Sequence, residues 1–240
     1  MSSLNLNEVD VDGAIRETAG ELSETLAHEG DTRLDFFKKA GIAGGAVMGG
    51  GALLSALVPG AALGQASSKL DAPPVDPFGK GDIGILNYAL ILEYLEAAFY
   101  NETKRKLNIK DKATKDFLAV VVRDENAHVK ILKGALGKDA LAKPKFDFGK
   151  TTRNEKLFVA TSFALENTGV SAYSGQAFNI DEPAVLATAL SIVTIEARHS
   201  GLIGQILSGV DGIAPDGPTD KAVGARATLK AVAKTGFIQG

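Results

Sequence analysis

Two of the three histidines in this 240-residue chain each follow a glutamate by three positions, in Glu125-Asn126-Ala127-His128 and Glu196-Ala197-Arg198-His199. That spacing puts a carboxylate and an imidazole on one face of a helix. Two such motifs acting together require two helices that face a common point. Apolar periodicity supplies those helices and two more. It predicts helices over about 82–107, 112–136, 153–177 and 182–208, with a short one at 219–234. In the first, Ile83, Leu86, Leu90, Glu93, Ala97 and Tyr100 share a face, with Asp82 as N-cap. Asp111 caps the second helix and Gly137 ends it; Pro183 opens the fourth and Gly209 ends it. No alternating strand pattern of useful length is present. The pairs are short-looped, and a longer connection with Pro144 and Gly149 joins them. The predicted class is all-α, a four-helix bundle of two helix pairs with a crossover connection.

The first and third helices repeat as well. Glu93 is followed seven residues later by Tyr100, and Glu166 seven residues later by Tyr173. Glu93 and Glu166 lie 73 positions apart, and Glu125 and Glu196 lie 71 apart, so the halves are nearly in register. One glutamate from each of two helices, with Glu-x-x-His from each of the others, is the arrangement of a di-metal carboxylate site. Glu93, Glu125, His128, Glu166, Glu196 and His199 are the predicted ligands. Glu96, one turn from Glu93, is an alternative or additional carboxylate, but its counterpart in the second half is Gly169. Four glutamates buried without partners would be driven toward protonation, and two divalent cations would cancel their charge. Carboxylate with imidazole suits iron, manganese or zinc. Tyr100 and Tyr173 read either as core tyrosines or as hydrogen-bonding neighbours of the site.

Composition removes other chemistries. Cys is 0, which excludes disulfide scaffolds, thiolate metal sites and cysteine nucleophiles. A net charge of -3, no Trp and 6% aromatics give no nucleic-acid footprint. Lys104, Lys106, Lys110 and Lys112 read as a solvated turn, and His28 as a plain residue outside the domain.

The duplicated Glu-x-x-His, with the stretches LNYALILEYLEAAFY and RDENAHVKIL, resembles the ferritin-like superfamily over about residues 80–208. Within it the chain is similar to exported ferritin-like domain proteins, some of them desiccation- or stress-associated. The resemblance implies a ferritin-like four-helix bundle holding two ions, iron or manganese foremost, that react with dioxygen or hydrogen peroxide. Ferroxidase-like and manganese-catalase-like activities both fall within it. By that analogy Glu125, with Glu166 or Glu196, bridges the ions while Glu93 is terminal. In di-iron relatives an aspartate just before the Glu-x-x-His glutamate contacts the histidine of the opposite motif. Asp124 stands there and is expected to orient His199; the matching position is Ile195, so the centre should be asymmetric. The competing class is a non-catalytic stress-associated protein with a stabilising or vestigial metal site.

Domain organisation follows from composition. Residues 1–68 are a polar extension followed by an uncharged stretch, 69–208 the bundle and 209–240 a tail. Residues 40–68 carry no charge, follow Arg33, Lys38 and Lys39, and end in small residues, which is the grammar of an export signal or membrane tether. The segment TRLDFFKKAGIAGG resembles a twin-arginine signal with Leu34 in place of the second arginine. The expected location is exported or membrane-tethered, and self-association into a homo-oligomer is a further expectation.

Overall fold

The structure, a computed structural model, describes residues 78–239. The signal-like stretch at 40–68, His28 and the prolines at 73, 74 and 77 lie outside the described residues. Four long helices make the bundle: α1 Gly81–Lys106, α2 Lys112–Leu136, α3 Glu155–Gln176 and α4 Pro183–Ser208. α1 packs chiefly on α2, and α3 on α4. A short fifth helix, α5 Ala225–Thr235, rests on α3. Among the described residues the fold is all-α apart from one two-residue pairing described below.

α1 departs from the single-face expectation. Gly84 through Ala97 are buried on every side, while Ile83 is 46% exposed. This is the central helix, which explains its nearly unbroken apolar run. It is long and apolar enough to cross a bilayer by composition, but 83% of that window is buried in the bundle. A buried polar group must be hydrogen-bonded, and Asn87 in its middle is. Its Nδ2 donates to Phe78 O and Asp139 O, and its Oδ1 accepts from Leu141 N, which pins the start of the crossover to α1.

Asp82 is not the cap of its own helix; the N-cap position is Lys80, with no side-chain bond. The Asp82 carboxylate instead accepts the backbone N–H groups of Asp181 and Glu182, both at 2.9 Å, and anchors the entry to α4. Glu155, 73 positions later in the first turn of α3, does the same for α2 by accepting from Lys110 N and Asp111 N at 2.9 and 3.0 Å. The offset equals that between Glu93 and Glu166, so the duplication extends from the site to the clamps at the helix entries. Asp111 does cap α2, accepting from Thr114 N at 2.7 Å. Asn154 caps α3 through Leu157 N and sets its start at Glu155.

The tail also differs from expectation. Its helix begins at Ala225 rather than 219, because Gly217, Pro218 and Gly224 keep the preceding backbone non-helical. Two short strands, β1 Lys145–Phe146 and β2 Ile238–Gln239, pair antiparallel and tie the crossover to the C-terminal end. Strands this short carry no period, so only the tertiary fold creates them. Lys104, Lys106, Lys110 and Lys112 are exposed, as a solvated turn requires.

Candidate metal centre

Each helix of the bundle sends its acidic or imidazole groups to one buried place. Glu93 and Glu96 come from α1, Glu125 and His128 from α2, Glu166 from α3, and Glu196 and His199 from α4. Glu93, Glu125, Glu166 and Glu196 are fully buried. His128 Nδ1 lies 3.3 Å from Glu93 Oε2, 3.1 Å from Glu125 Oε2 and 3.0 Å from Glu196 Oε1. His199 Nδ1 lies 3.0 Å from Glu125 Oε1 and 3.3 Å from Glu166 Oε2. Two donor sets result: Glu93, Glu125, His128 and Glu196; and Glu125, Glu166, Glu196 and His199. Within each, the donor atoms all lie within 4.8 Å of one another. Glu125 and Glu196 belong to both sets, and Glu93 and Glu166 to one each.

Beyond these contacts with the two imidazoles, the carboxylate oxygens converge on one another without partners. Glu93 Oε2, Glu125 Oε1, Glu166 Oε2, both oxygens of Glu196 and His199 Nδ1 are buried with no directed hydrogen bond. So many orphaned acceptors in one protein interior would be costly if nothing filled the space between them. Carboxylate oxygens and imidazole nitrogens around shared points are the donors that two divalent cations take. The residues therefore fit a pair of ions, one per set, with Glu125 and Glu196 shared.

The metal-free electrostatics show the same strain. Burial, then repulsion from Glu196, Glu166, Glu125 and Glu93, pushes the Glu96 carboxyl well above the usual range. Glu196 is pushed up by burial and by Glu125, Glu93 and Glu166. Burial raises Glu125 to about 7, against the lowering effect of its contacts with His128 and His199. Burial would lower His199, but contacts with Glu125 and Glu166 more than reverse this and raise it to about 11. His128 is raised in the same way by Glu125, Glu196 and Glu93. Without metal the cluster holds extra protons in place of cations.

Neighbouring groups aim the donors. Asp124 Oδ2 lies 3.1 Å from His199 Nε2, leaving Nδ1 directed at the centre. Arg123 grips the same carboxylate, at 2.6 Å from Nε and 3.0 Å from Nη2. Ile195 before Glu196 offers no acceptor, and among the described residues no carboxylate bonds the far nitrogen of His128. The tyrosines cross the bundle rather than serving the glutamate of their own helix. Tyr173 on α3 donates to Glu93 Oε1 at 2.6 Å, and Tyr100 on α1 donates to Glu166 Oε1. Seven-residue spacing aligned each tyrosine with its own glutamate, but the neighbouring helix lies closer to its hydroxyl.

The alternative carboxylate also resolves. Glu96 is buried at the edge of the centre with Oε1 orphaned, yet it is in neither donor set, and Glu93 is. Gly169 is what sequence reasoning undervalued. A Cβ there would stand 2.8 Å from Glu196 Oε2 and 3.6 Å from Glu96 Oε1. The glycine leaves room for two carboxylates, and a glutamate matching Glu96 could not fit. Gly169→Ala should therefore stabilise the metal-free helix by up to about 1 kcal/mol through propensity. It should weaken metal binding by displacing Glu196. Paired chemical denaturation and metal titration check this, and unchanged affinity would contradict it.

A profile of the family described as the ferritin-like domain matches residues 81–209, more than half of the chain. The chain belongs to this family. The matched span opens at the start of α1 and closes just past α4, so it takes in every donor of the centre. The ferritin-like domain thus accounts for the bundle and for a buried acidic and histidine cluster compatible with metal. A search of curated proteins found no match.

Proposed function

We propose that this chain is a di-metal carboxylate protein whose ions, iron or manganese, react with dioxygen or hydrogen peroxide in protection against oxidative, iron or desiccation stress. The observation that carries the reading is the convergence of two overlapping donor sets with orphaned oxygens in a sealed core. When bound, such a pair supplies redox equivalents and a shared point of attack for a two-oxygen oxidant. Glu125 and Glu196 would be shared, Glu93 and Glu166 would hold one end each, and His128 and His199 would complete the sets. Tyr173 and Tyr100 hold their phenolic protons against Glu93 and Glu166, which restrains those carboxylates. Asp124 keeps the His199 ring turned to the centre. The packed rings of Phe117, Tyr100 and Phe158 exclude water on one side.

The setting we propose is outside the cytoplasm or at a membrane, on the pattern of residues 33–68 alone. N-terminal sequencing of the mature protein from fractionated cells checks it. The function is tested by elemental analysis of the native protein, followed by oxygen and peroxide consumption. Two redox-active ions per chain with turnover of either oxidant are expected. Zinc alone, with neither oxidant consumed, would favour the structural role.

Metal loading at neutral pH should release protons. Both imidazoles carry raised pKa values in the metal-free protein and must be neutral to donate a lone pair. Affinity should therefore rise with pH. Without metal the sign for stability is opposite. Glu125 is raised from 4.5 to about 7 and His199 from 6.5 to about 11, so the folded state holds more protons than the unfolded one. Stability is then lost as pH rises between about 4.5 and about 11. Calorimetric titration in buffers of different ionisation enthalpy reads the first effect, and thermal melts of the metal-free chain read the second. Buffer-independent heats would contradict the protonation pattern.

A further inference from the structure

The bundle has two unlike ends. At one of them the last turns of α1 and α4 meet the first turns of α2 and α3. Glu155 accepts from Lys110 N and Asp111 N, Thr152 Oγ1 donates to Glu102 Oε1, and Asp111, Glu155, Lys156 and Leu207 border one open depression. Lys106, Lys110, Lys112, Lys150, Arg153 and Lys156 are all exposed at this end. Most acids beside them are engaged. Asp111 caps α2, Glu155 holds two backbone N–H groups, and Glu102 holds Thr152 and Lys106. Asp147 accepts from Gly149 N, and Asp116 pairs with Lys112. That leaves Asp211 against Lys110, Lys150, Arg153 and Lys156, which make no ion pair among the described residues. At the other end Lys80 and Lys138 are offset by Asp139, Asp181 and Glu182.

Apolar side chains stand among the cations. Leu157 in the first turn of α3 is 43% exposed and Leu207 in the last turn of α4 is 41% exposed. Val210, three residues beyond Leu207, is 77% exposed, more than any other large apolar residue described. Apolar residues gathered beside polar ones on a surface mark an interaction site. Unpaired cations select a negative partner, and the aliphatic side chains select one with an apolar interior in reach. A nucleic acid meets the first need only, and a bilayer with anionic headgroups meets both. We propose that this end of the bundle is a docking surface for an anionic lipid bilayer, with the cations against the headgroups and Val210 between them. The bundle then stands end-on, and Glu93, thirteen residues before Lys106 on α1, lies about 20 Å from the surface. The attachment uses none of residues 1–77 and does not depend on the di-metal reading.

Sedimentation of the full chain with vesicles tests this. Vesicles of phosphatidylcholine alone are compared with vesicles that also contain phosphatidylglycerol. Binding to the anionic vesicles only, weakening as salt rises, is expected. Each cation close to such a surface contributes about fivefold in affinity, so Lys110→Glu, Arg153→Glu and Lys156→Glu combined should weaken binding by at least about 100-fold. Val210→Asp, on a different segment, should weaken it several-fold at unchanged charge on the lysines and arginine. All four side chains are exposed, so melting temperature and metal content should match the parent. Binding to neither vesicle, equal binding to both, or anionic binding that both variants retain overturns the inference; in the last two cases another part of the chain holds the lipid. Preference for a single-stranded polynucleotide over anionic vesicles overturns it as well. None of these outcomes touches the di-metal reading, which elemental analysis decides separately.

Discussion

Glu125→Ala should abolish binding of both ions, whereas Glu93→Ala or Glu166→Ala should cost one. The asymmetry follows from position. Glu125 Oε2 faces His128 and Oε1 faces His199, so the carboxylate is common to both donor sets. Loss of a group that merely orients a ligand typically costs about 10–100-fold in metal affinity, so loss of a shared ligand should exceed about 100-fold at each position. The same variant should not unfold the metal-free chain. Removing one buried carboxylate from a cluster that repels itself relieves electrostatic strain and offsets part of the small cavity left behind. Glu96→Gln should likewise stabilise the metal-free form, because Glu96 is buried against four other carboxylates. Elemental analysis after dialysis, with thermal melts of the metal-free proteins, reads both effects. Retention of one ion per chain by Glu125→Ala would show that the two sets do not share it.

Gly204→Ala should be among the most damaging single-methyl changes in the protein, although it exchanges a poor helix former for the best one. Helix propensity alone would make it stabilising by about 1 kcal/mol. A Cβ at 204, however, would lie 2.0 Å from Gly212 O, and a Cβ at 212 would lie 2.0 Å from Gly204 O. At this point the backbone of α4 touches the chain that turns back after it, and backbone cannot move aside as a flexible side chain can. Overpacking costs about 1–3 kcal/mol, and a methyl driven into backbone that cannot give way belongs at the upper end of that range. In a domain of this size each kcal/mol lowers the melting temperature by roughly 2–4 °C. Gly175→Ala meets the same obstacle in Val223 O at 1.9 Å, on a segment tied down by the bond from Val223 N to Ser171 O. Gly134→Ala is the control. It is exposed on α2 with nothing within 4 Å of the added methyl, and should stabilise by about 1 kcal/mol. Thermal or chemical denaturation of the three variants decides the matter, and a neutral Gly204→Ala would refute the close backbone approach.

The four helices could be read from the sequence because each signal is local. Periodicity, the Asp111 cap and the terminating glycines at 137 and 209 act within one or two turns of the residues that carry them. The members of the centre were readable for a related reason. Glu-x-x-His is an intrahelical spacing, and its recurrence at a constant offset tied distant segments together before any packing was known. Long-range partners were not readable. Asp82 looked like a cap for its own helix because nothing local shows that residues 181 and 182, about a hundred positions on, arrive with free N–H groups. The tyrosines looked like neighbours of their own glutamates because helical spacing measures along one helix and not across to the next.

What the sequence determined by itself was the inventory: four amphipathic or apolar segments, a duplicated set of carboxylates and imidazoles, and no cysteine or basic stripe to support a rival chemistry. Only the tertiary structure decided which oxygens are shared between the two donor sets, that Gly169 leaves space for Glu96 and Glu196 together, and that cations from α1, α2 and α3 gather with Val210 at one end of the bundle. The reason is physical. Spacing along a helix sets the direction in which a side chain leaves it, but distances between helices depend on how the faces interlock, and sub-ångström differences there decide whether an oxygen is shared or a methyl can fit.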